Sequence, residues 1–270
     1  MMNLSVSSLH YKPKVPRGQR EKNDADIRSE IEKVRMEHKR SGYRTLLRYL
    51  RRNGVAIGET RLRRVMGKYD LHAQIKRAFV NTTDSEHGHR VYPNLLKYVE
   101  ATKPNEIWAS DFTYIRIENG FVYLAVILDL FSRKVVGWAI SKNIDADLAV
   151  SALKMAIERR KPSKHCIHHS DRGVQYLGNK YIQVLKENHF QISNSARGNP
   201  YHNAWVESFM KTLKQEEVYL ANYITFLDVI ENLPRFIEDV YNTKRVHSSL
   251  GYKTPSEFEQ QHESHQIDLT

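Results

Sequence analysis

The sequence predicts an α/β protein in which a small all-helical module precedes a mixed five-strand sheet with flanking helices. After residue 107, segments rich in β-branched and aromatic residues are followed by segments with helical periodicity, in the order β-β-β-α-β-α-β-α. Before residue 75, three short stretches carry apolar residues at helical spacing. Strands and helices in that order pack as helices against a sheet.

The helical module begins with an amphipathic stretch over residues 25–41, which Gly42 ends. A second helix is predicted from Arg44 to Arg52, and a third starts near Glu59. A glycine-containing connection before a basic last helix is typical of a helix-turn-helix, which places its last helix in a major groove of DNA.

Positive charge is concentrated in this first part of the chain. The formal net charge is +11, yet residues 1–80 hold 20 Lys and Arg against 8 Asp and Glu, whereas residues 81–270 hold 22 against 23. This asymmetry favours phosphate binding by the helical module, with Arg61, Arg63 and Arg64 of its last helix as candidate DNA contacts. The alternative is a three-helix bundle with a solvated basic face.

Membrane and secretory classes are not expected. The longest apolar run, Phe121 to Phe131, contains Asp129 and falls short of the roughly 20 residues that a membrane helix needs. The first residues lack the apolar region of a signal peptide, and the single cysteine, Cys166, cannot close an intrachain disulfide. We therefore expect a cytoplasmic protein.

The sheet is expected to start with an antiparallel meander. Asn119 and Gly120 mark a hairpin turn between its first two strands. The strands are predicted over residues 107–117, 121–129 and 134–141. The later elements are a helix over 145–160, a strand over 165–171, a helix over 178–189, a strand over 190–193 and a long helix over 203–220.

Three carboxylates stand out because of where the predicted elements place them. Asp111 lies inside the first strand, Asp171 follows the fourth, and Glu207 lies in the first turns of the long helix. A buried carboxylate without a partner is costly. Asp111 therefore needs either a salt bridge or turn hydrogen bond, or a hard cation such as Mg²⁺.

The long helix favours the cation. At about 100° per residue, Glu207, Lys211 and Lys214 share one face. An acid flanked by lysines suits a metal-binding carboxylate beside cations that meet a phosphate backbone, although an ordinary Glu207 to Lys211 ion pair is the alternative. The opposite face is expected to pack through Trp205, Val206, Phe209 and Leu213.

The spacing of these acids carries a family resemblance. Asp111 and Asp171 are 60 positions apart, and 35 residues separate Asp171 from Glu207, within WASDFTYI, HHSDRGVQY and GNPYHNAWVESFMKTLKQE. This pattern resembles the DDE catalytic core of insertion-sequence transposases and retroviral integrases. It is most similar to bacterial transposases encoded by a second reading frame, and the likeness extends to YNTKRVHSSLGYKTP.

The resemblance implies an RNase H-like fold and a transposase that cleaves DNA strands and transfers them by two-metal-ion phosphoryl transfer. Asp111, Asp171 and Glu207 would be catalytic and would hold two Mg²⁺ ions, for which Mn²⁺ can substitute. Asn203, Lys211 and Lys214 would contact DNA. His202 departs from the family pattern, in which an aspartate is expected there.

The implied partners are duplex DNA, both element ends and target, and further copies of the chain on that DNA. An upstream-frame DNA-binding protein, separate or fused, is another implied partner, and the implied location is the bacterial nucleoid. A catalytically inactive DNA-binding regulator and an RNase H-type nuclease are the rival functions.

The chain is expected to divide into five segments. They are a basic arm (1–22), a DNA-binding module (23–75), a linker (76–97), an integrase-type domain (98–262, with its core at about 103–221) and a tail (263–270).

Further polar residues have less specific expectations. Asp129, Ser132 and Arg133 are expected to support the turn after the second strand through hydrogen bonds. Pro234 is expected to kink or break the amphipathic run over 226–242. Four residues match a C-terminal family motif and would either flank the active site or cap a helix end: Tyr241, Asn242, Arg245 and His247.

Overall fold

A computed structural model describes residues 17–38, 40–71, 90–97, 99–195 and 203–267. Contacts along the chain divide it into two units, residues 1–74 and 75–270. Much of the expected arm and linker, His202 and the end of the tail lie outside the described residues.

The first unit contains three helices, α1 (Arg17–Glu37), α2 (Tyr43–Arg52) and α3 (Glu59–Lys68). α1 begins before the predicted stretch because residues 17–24 include Arg, Gln, Glu and Lys, which favour helix without any apolar pattern. It also ends at Glu37, and Gly42 instead precedes α2 as its N-cap. The chain turns at His38, whose buried ring stacks on Tyr49 at 4.1 Å between centroids.

The second unit is built on the predicted mixed sheet, which is confirmed. Its strand order is β3-β2-β1-β4-β5, with β1 antiparallel to β2, β2 antiparallel to β3, and β4 parallel to both β1 and β5. The predicted hairpin is present, but its turn residues are Glu118 and Asn119, and Gly120, at a φ of 125°, already pairs with Ile117 as the first residue of β2. The strands are β1 (Ile107–Ile117), β2 (Gly120–Asp129), β3 (Val135–Ser141), β4 (Ile167–Ser170) and β5 (Gln191–Asn194).

Helices cover both faces of this sheet, each over its own apolar core. α4 packs so tightly on β3 that a Cβ at Gly137 would lie 2.4 Å from the Ala152 carbonyl oxygen. None of the described helices has the length and apolar composition needed to cross a membrane. The helices are α4 (Ala146–Arg160), α5 (Val174–Leu177), α6 (Asn179–Glu187), α7 (Ala204–Leu213), α8 (Phe226–Arg235) and α9 (Pro255–Ile267).

One expectation about the C-terminal helices was wrong, and the break expected at Pro234 is absent. Trp205 is exposed and Met210 is buried in its place, because the buried stripe of α7 runs through positions 206, 209, 210 and 213 and leaves position 205 at its edge. Pro234 does not break α8, which continues directly into a π-helical segment, Phe236–Tyr241. A π-helical turn is wider than an α-helical one, and such turns occur within otherwise continuous helices.

Candidate active site

The sheet register brings the two aspartates together. β1 and β4 are parallel neighbours, with Ala109 opposite His169. Continuing this register by two residues places Asp111 beside Asp171, so the 60-residue spacing seen in the sequence equals the offset between the two strands. The negative charge of Asp171 acts on Asp111, which is consistent with this placement.

Asp111 lies where negative charges accumulate. Its Oδ1 accepts a hydrogen bond of 2.8 Å from the backbone N–H of Phe112. Burial and the charges of Asp171 and Glu207 together raise the pKa of Asp111 to about 8, against the opposing effects of that hydrogen bond and of the Lys214 charge. Asp111 therefore has the hydrogen bond that was expected as the alternative to a cation. That bond does not offset the free-energy cost of ionising the buried carboxyl.

The backbone around Asp171 is fixed by its neighbours on the sheet. Its Oδ1 accepts the N–H of Gly173 at 2.9 Å. Its carbonyl oxygen accepts the Ser170 hydroxyl at 3.0 Å and the Asn194 side-chain amide at 3.3 Å. Sequence reasoning missed Asn194, although a polar residue closing a buried strand was a signal that could have identified it.

Glu207 stands apart from the pair of aspartates. It lies exposed in the first turn of α7, and partial burial raises its pKa. Among the described residues, no three His, Cys, Asp or Glu side chains are close enough together to hold a metal ion, and no ion pair joins Glu207 to Lys211. Carboxylate oxygens are nevertheless the donors that Mg²⁺ prefers, so the three acids fit such an ion in chemistry.

The two predicted lysines differ in their surroundings. The ammonium of Lys214 lies 4.3 Å from the centre of the Tyr114 ring, and its charge lowers the pKa of Asp111. Burial lowers the pKa of Lys214 itself. Lys211 is exposed on α7. Lys214 thus faces the acids, whereas Lys211 faces solvent.

Asn203, which was expected to contact DNA, is buried and not exposed. It lies at the start of α7, and its side-chain amide donates to the Ser110 carbonyl oxygen at 3.4 Å. Its Oδ1 is buried without a hydrogen-bond partner in the described structure. Asn203 therefore links the start of the helix that carries Glu207 to the strand that carries Asp111.

The candidate DNA-binding arginines of α3 all have partners within the helical unit. Arg64 forms two hydrogen bonds of 2.7 Å to the buried carboxylate of Asp24, and Arg61 lies 3.6 Å from the same group. The hydrogen bond from Arg64 lowers the pKa of Asp24. Arg63 pairs with Glu59 at 3.1 Å and lies over the Tyr43 ring at 4.0 Å. Arg64 thus joins α1 to α3.

The expected hydrogen-bonded turn after β2 is confirmed for Asp129 and Ser132, whereas the Arg133 side chain forms no hydrogen bond among the described residues. The buried carboxylate of Asp129 accepts the N–H groups of Asn105, Phe131 and Ser132 at 2.7, 2.9 and 3.2 Å. The Ser132 hydroxyl donates to Glu259 at 2.8 Å.

Two residues of the C-terminal motif serve packing. The side-chain amide of Asn242 bonds both the N–H and the carbonyl oxygen of Val135 at 2.9 Å, and the buried Tyr241 ring packs edge-on against Phe209. Neither contact caps a helix end; Asn242 joins the C-terminal helices to β3, and Tyr241 joins them to α7.

Comparison with known proteins identifies the family. Two family models, each described as an integrase core domain, match residues 101–200 and 188–255. The transposase for insertion sequence element IS904 of Lactococcus lactis is 35% identical over 93% of this chain and 98% of its own length. Transposase InsF for insertion sequence IS3A of Escherichia coli is 38% identical over 78% of this chain and 73% of its own length.

The fold also agrees with a solved structure. An intasome of simian T-cell lymphotropic virus, solved in complex with a PP2A regulatory subunit, aligns with a TM-score of 0.51 at 16% identity over 85% of this chain and 74% of the compared chain. At that identity the likeness concerns the fold, which is RNase H-like as the resemblance implied. The sheet, its two neighbouring aspartates and the near full-length relatives together show that this chain belongs to the insertion-sequence transposases with an integrase core domain.

Proposed function

We propose that Asp111, Asp171 and Glu207 form one catalytic site that both cleaves DNA and joins the cut end to another strand. The observation that carries this proposal is the placement of two carboxylates side by side on neighbouring strands, where the charge of one opposes ionisation of the other. A bound cation commonly stabilises such a cluster in its ionised form. Membership of the transposase family supports the same assignment.

The three acids would hold two divalent ions, Mg²⁺ with Mn²⁺ as a substitute. Bound there, the ions would supply Lewis-acid stabilisation for attack at a phosphorus atom and for the leaving oxygen. The chain itself positions the donors, through Gly173 and Asn194 at Asp171 and through Asn203 at the start of α7. Phosphoryl transfer needs such positioning and no covalent enzyme group, so water and a DNA 3′-hydroxyl can use one site in turn.

Several groups outside the acids would meet the DNA. Lys211 and Lys214 lie on the same helix as Glu207, and the excess positive charge of residues 1–80 suits a duplex backbone. Arg61 and Arg63 can reach DNA by exchanging their internal partners for phosphates, whereas Arg64 and Asn203 would act mainly by holding neighbouring elements.

We further propose the setting of the reaction. The DNA-binding module would span residues 23–75, the linker 76–97 and the catalytic domain 98–262. The substrates would be the ends of an insertion sequence and a target duplex. Several copies of the chain, and an upstream-frame DNA-binding protein or fusion, would assemble on that DNA at the bacterial nucleoid, as the bacterial relatives suggest.

A strand-transfer assay separates this function from the two rivals. The substrate is an element-end duplex with one strand already cut to expose its 3′-hydroxyl. A transposase converts it with Mg²⁺ into a longer joined product. A hydrolytic nuclease gives only shorter products, and a DNA-binding regulator gives neither, so either of these results would refute the proposal.

A further inference from the structure

A second cationic site lies beside the start of α7, outside the acidic cluster. Arg133 follows β2 with a φ of 61°, a left-handed backbone conformation that few residues other than glycine adopt. Its guanidinium is largely buried, which lowers its pKa. The folded chain therefore keeps a charged side chain at a position where the left-handed backbone conformation and the burial of the charge both cost free energy.

Among the described residues the Arg133 guanidinium has no hydrogen-bonded or ion-paired carboxylate, although the charge of Asp129 acts on it. Its Nη1 is buried without a hydrogen-bond acceptor, and no ion pair involves Arg133 among the described residues. The nearby carboxylate of Asp129 is already occupied by three backbone N–H groups. A buried charge normally has a hydrogen-bonded partner of opposite sign, so this one is suited to an anion from another molecule.

The neighbours of Arg133 fit a nucleic acid. Its guanidinium lies 5.1 Å from the centre of the Trp205 ring, which is 38% exposed. The imidazole of His247 has a buried Nε2 without a partner, and the charge of Arg133 acts on this ring. Arg245, the other cation near His247, is paired with Glu216 at 2.8 Å. Exposed aromatic rings beside arginine are a common surface for DNA strands.

We propose that Arg133 and His247 bind a backbone phosphate of the DNA on which this transposase acts, with Trp205 as a stacking surface for an adjacent base or sugar. Trp205 and Glu207 lie in the same first turn of α7, on different sides of the helix. Each DNA strand offers a phosphate about every 3.4 Å along the duplex axis. DNA that passes over the start of α7 to reach Glu207 would therefore also offer phosphates on the Arg133 side of this helix. The proposal rests on the proposed function in requiring DNA at this helix.

Salt-dependent DNA binding tests the site without requiring catalysis. The full chain, in chelator, is titrated with a short random-sequence duplex at several salt concentrations, as are its Arg133→Gln, Arg133→Lys and Arg235→Gln variants. Arg235 is an exposed arginine of α8, so its variant makes the same charge change elsewhere. Melting curves verify folding, and a parallel titration measures binding of inorganic phosphate.

Arg133→Gln should weaken DNA binding by about ten-fold and lower the slope of log affinity against log salt by about one. Arg133→Lys should keep the slope, since it keeps the charge, and Arg235→Gln should change neither quantity. Equal losses for Arg133→Gln and Arg235→Gln, or an Arg133-dependent binding of inorganic phosphate with an unchanged DNA slope, would overturn the proposal. A parent chain that binds no duplex at all would refute the proposed function as well.

Tryptophan fluorescence gives a readout that does not require an Arg133 variant to fold. Of the three tryptophans, Trp108 is fully buried and Trp205 is the most exposed. Duplex DNA should change the fluorescence of the parent chain, and Trp205→Phe should remove most of that change. A DNA-induced change that persists in Trp205→Phe would place the strand elsewhere.

Discussion

The backbone N–H of Gly173 holds the carboxylate of Asp171, and a side chain at Gly173 would force that carboxylate to shift. A Cβ at Gly173 would lie 3.0 Å from Asp171 Oδ1 and 3.2 Å from Gln175 Oε1. We expect Gly173→Ala to displace the carboxylate and lower the cleavage rate by about ten-fold or more, because small misplacements of catalytic groups are costly. Cleavage of element-end DNA in Mg²⁺ measures this.

Gly42→Ala is the matched control, since a Cβ there meets no atom within 4 Å and Gly42 lies outside the candidate recognition helix. It should leave the cleavage rate unchanged, and both variants should retain binding in a gel shift. A Gly173→Ala enzyme with the parent rate would show that Asp171 does not depend on this contact.

The raised pKa of Asp111 predicts how metal-free stability depends on pH. Its pKa is about 8 in the folded chain and about 3.9 when unfolded, so the folded state binds the proton more tightly. The resulting stabilisation is fully present below the unfolded pKa and is lost as pH rises through about 8. In chelator, the thermal midpoint should therefore fall between about pH 5 and about pH 9.

Asp111→Asn isolates this contribution, because an amide has no charge to acquire. Its thermal midpoint should fall less over the same pH range and should exceed that of the parent at the alkaline end. Addition of Mg²⁺ should raise the alkaline midpoint of the parent alone, since bound metal favours the ionised carboxylate. Identical pH dependence in parent and variant would contradict the assigned environment of Asp111.

The sequence could predict only in part that Asp111 and Asp171 are neighbours. The spacing of 60 residues was visible, but its meaning depends on β1 and β4 being paired with that same offset. Burial of Asn203 against Ser110 had no local signal, because it arises from packing between elements distant in sequence.

Among the elements, α3 combines a predicted recognition helix with a structural ion pair. Arg64→Ala removes both hydrogen bonds to buried Asp24 and leaves that carboxylate with weaker partners at 3.6 Å or more. We expect a loss of stability in the helical unit of about 1–3 kcal/mol, the usual range for hydrogen bonds to charged groups. Thermal or urea unfolding of the full chain, followed by helical signal, measures it.

Arg63→Ala is the comparison, since Arg63 pairs with exposed Glu59. It should change stability by no more than about 0.5 kcal/mol, as for other exposed pairs, while still weakening DNA binding. The opposite ranking, with Arg63→Ala the more destabilising, would remove Arg64 from its role in joining α1 to α3.

The sequence patterns located most elements because each carries its own periodicity. Alternation and β-branched residues placed β1, β2 and β3 within one residue, and apolar spacing placed α2, α3 and α4. The start of α1, the exposed Trp205 and the unbroken helix at Pro234 were not predicted. The pattern of apolar residues carries only a weak signal for three properties: helix propensity, the exact width of a buried stripe, and π-helical turns.

At the scale of the whole molecule, the division of charge along the chain predicted its division into two units. The excess of basic residues lies almost entirely before residue 81, and the chain divides into units at residues 74 and 75. The acids lie in the second unit, which matches the integrase core domain. Composition could predict this separation, whereas it carries no signal for the position of Glu207, which lies on α7 apart from the two aspartates.

The central claim is that one site of three acids performs both cleavage and strand joining. It is tested most directly by measuring both reactions, with Mg²⁺ and element-end DNA, in Asp111→Asn, Asp171→Asn and Glu207→Gln, beside Glu158→Gln as an exposed control on α4. Each triad variant should lose both reactions by at least about a thousand-fold while retaining DNA binding, and the control should match the parent. A folded triad variant that cleaves or joins at a rate near that of the parent would contradict the claim.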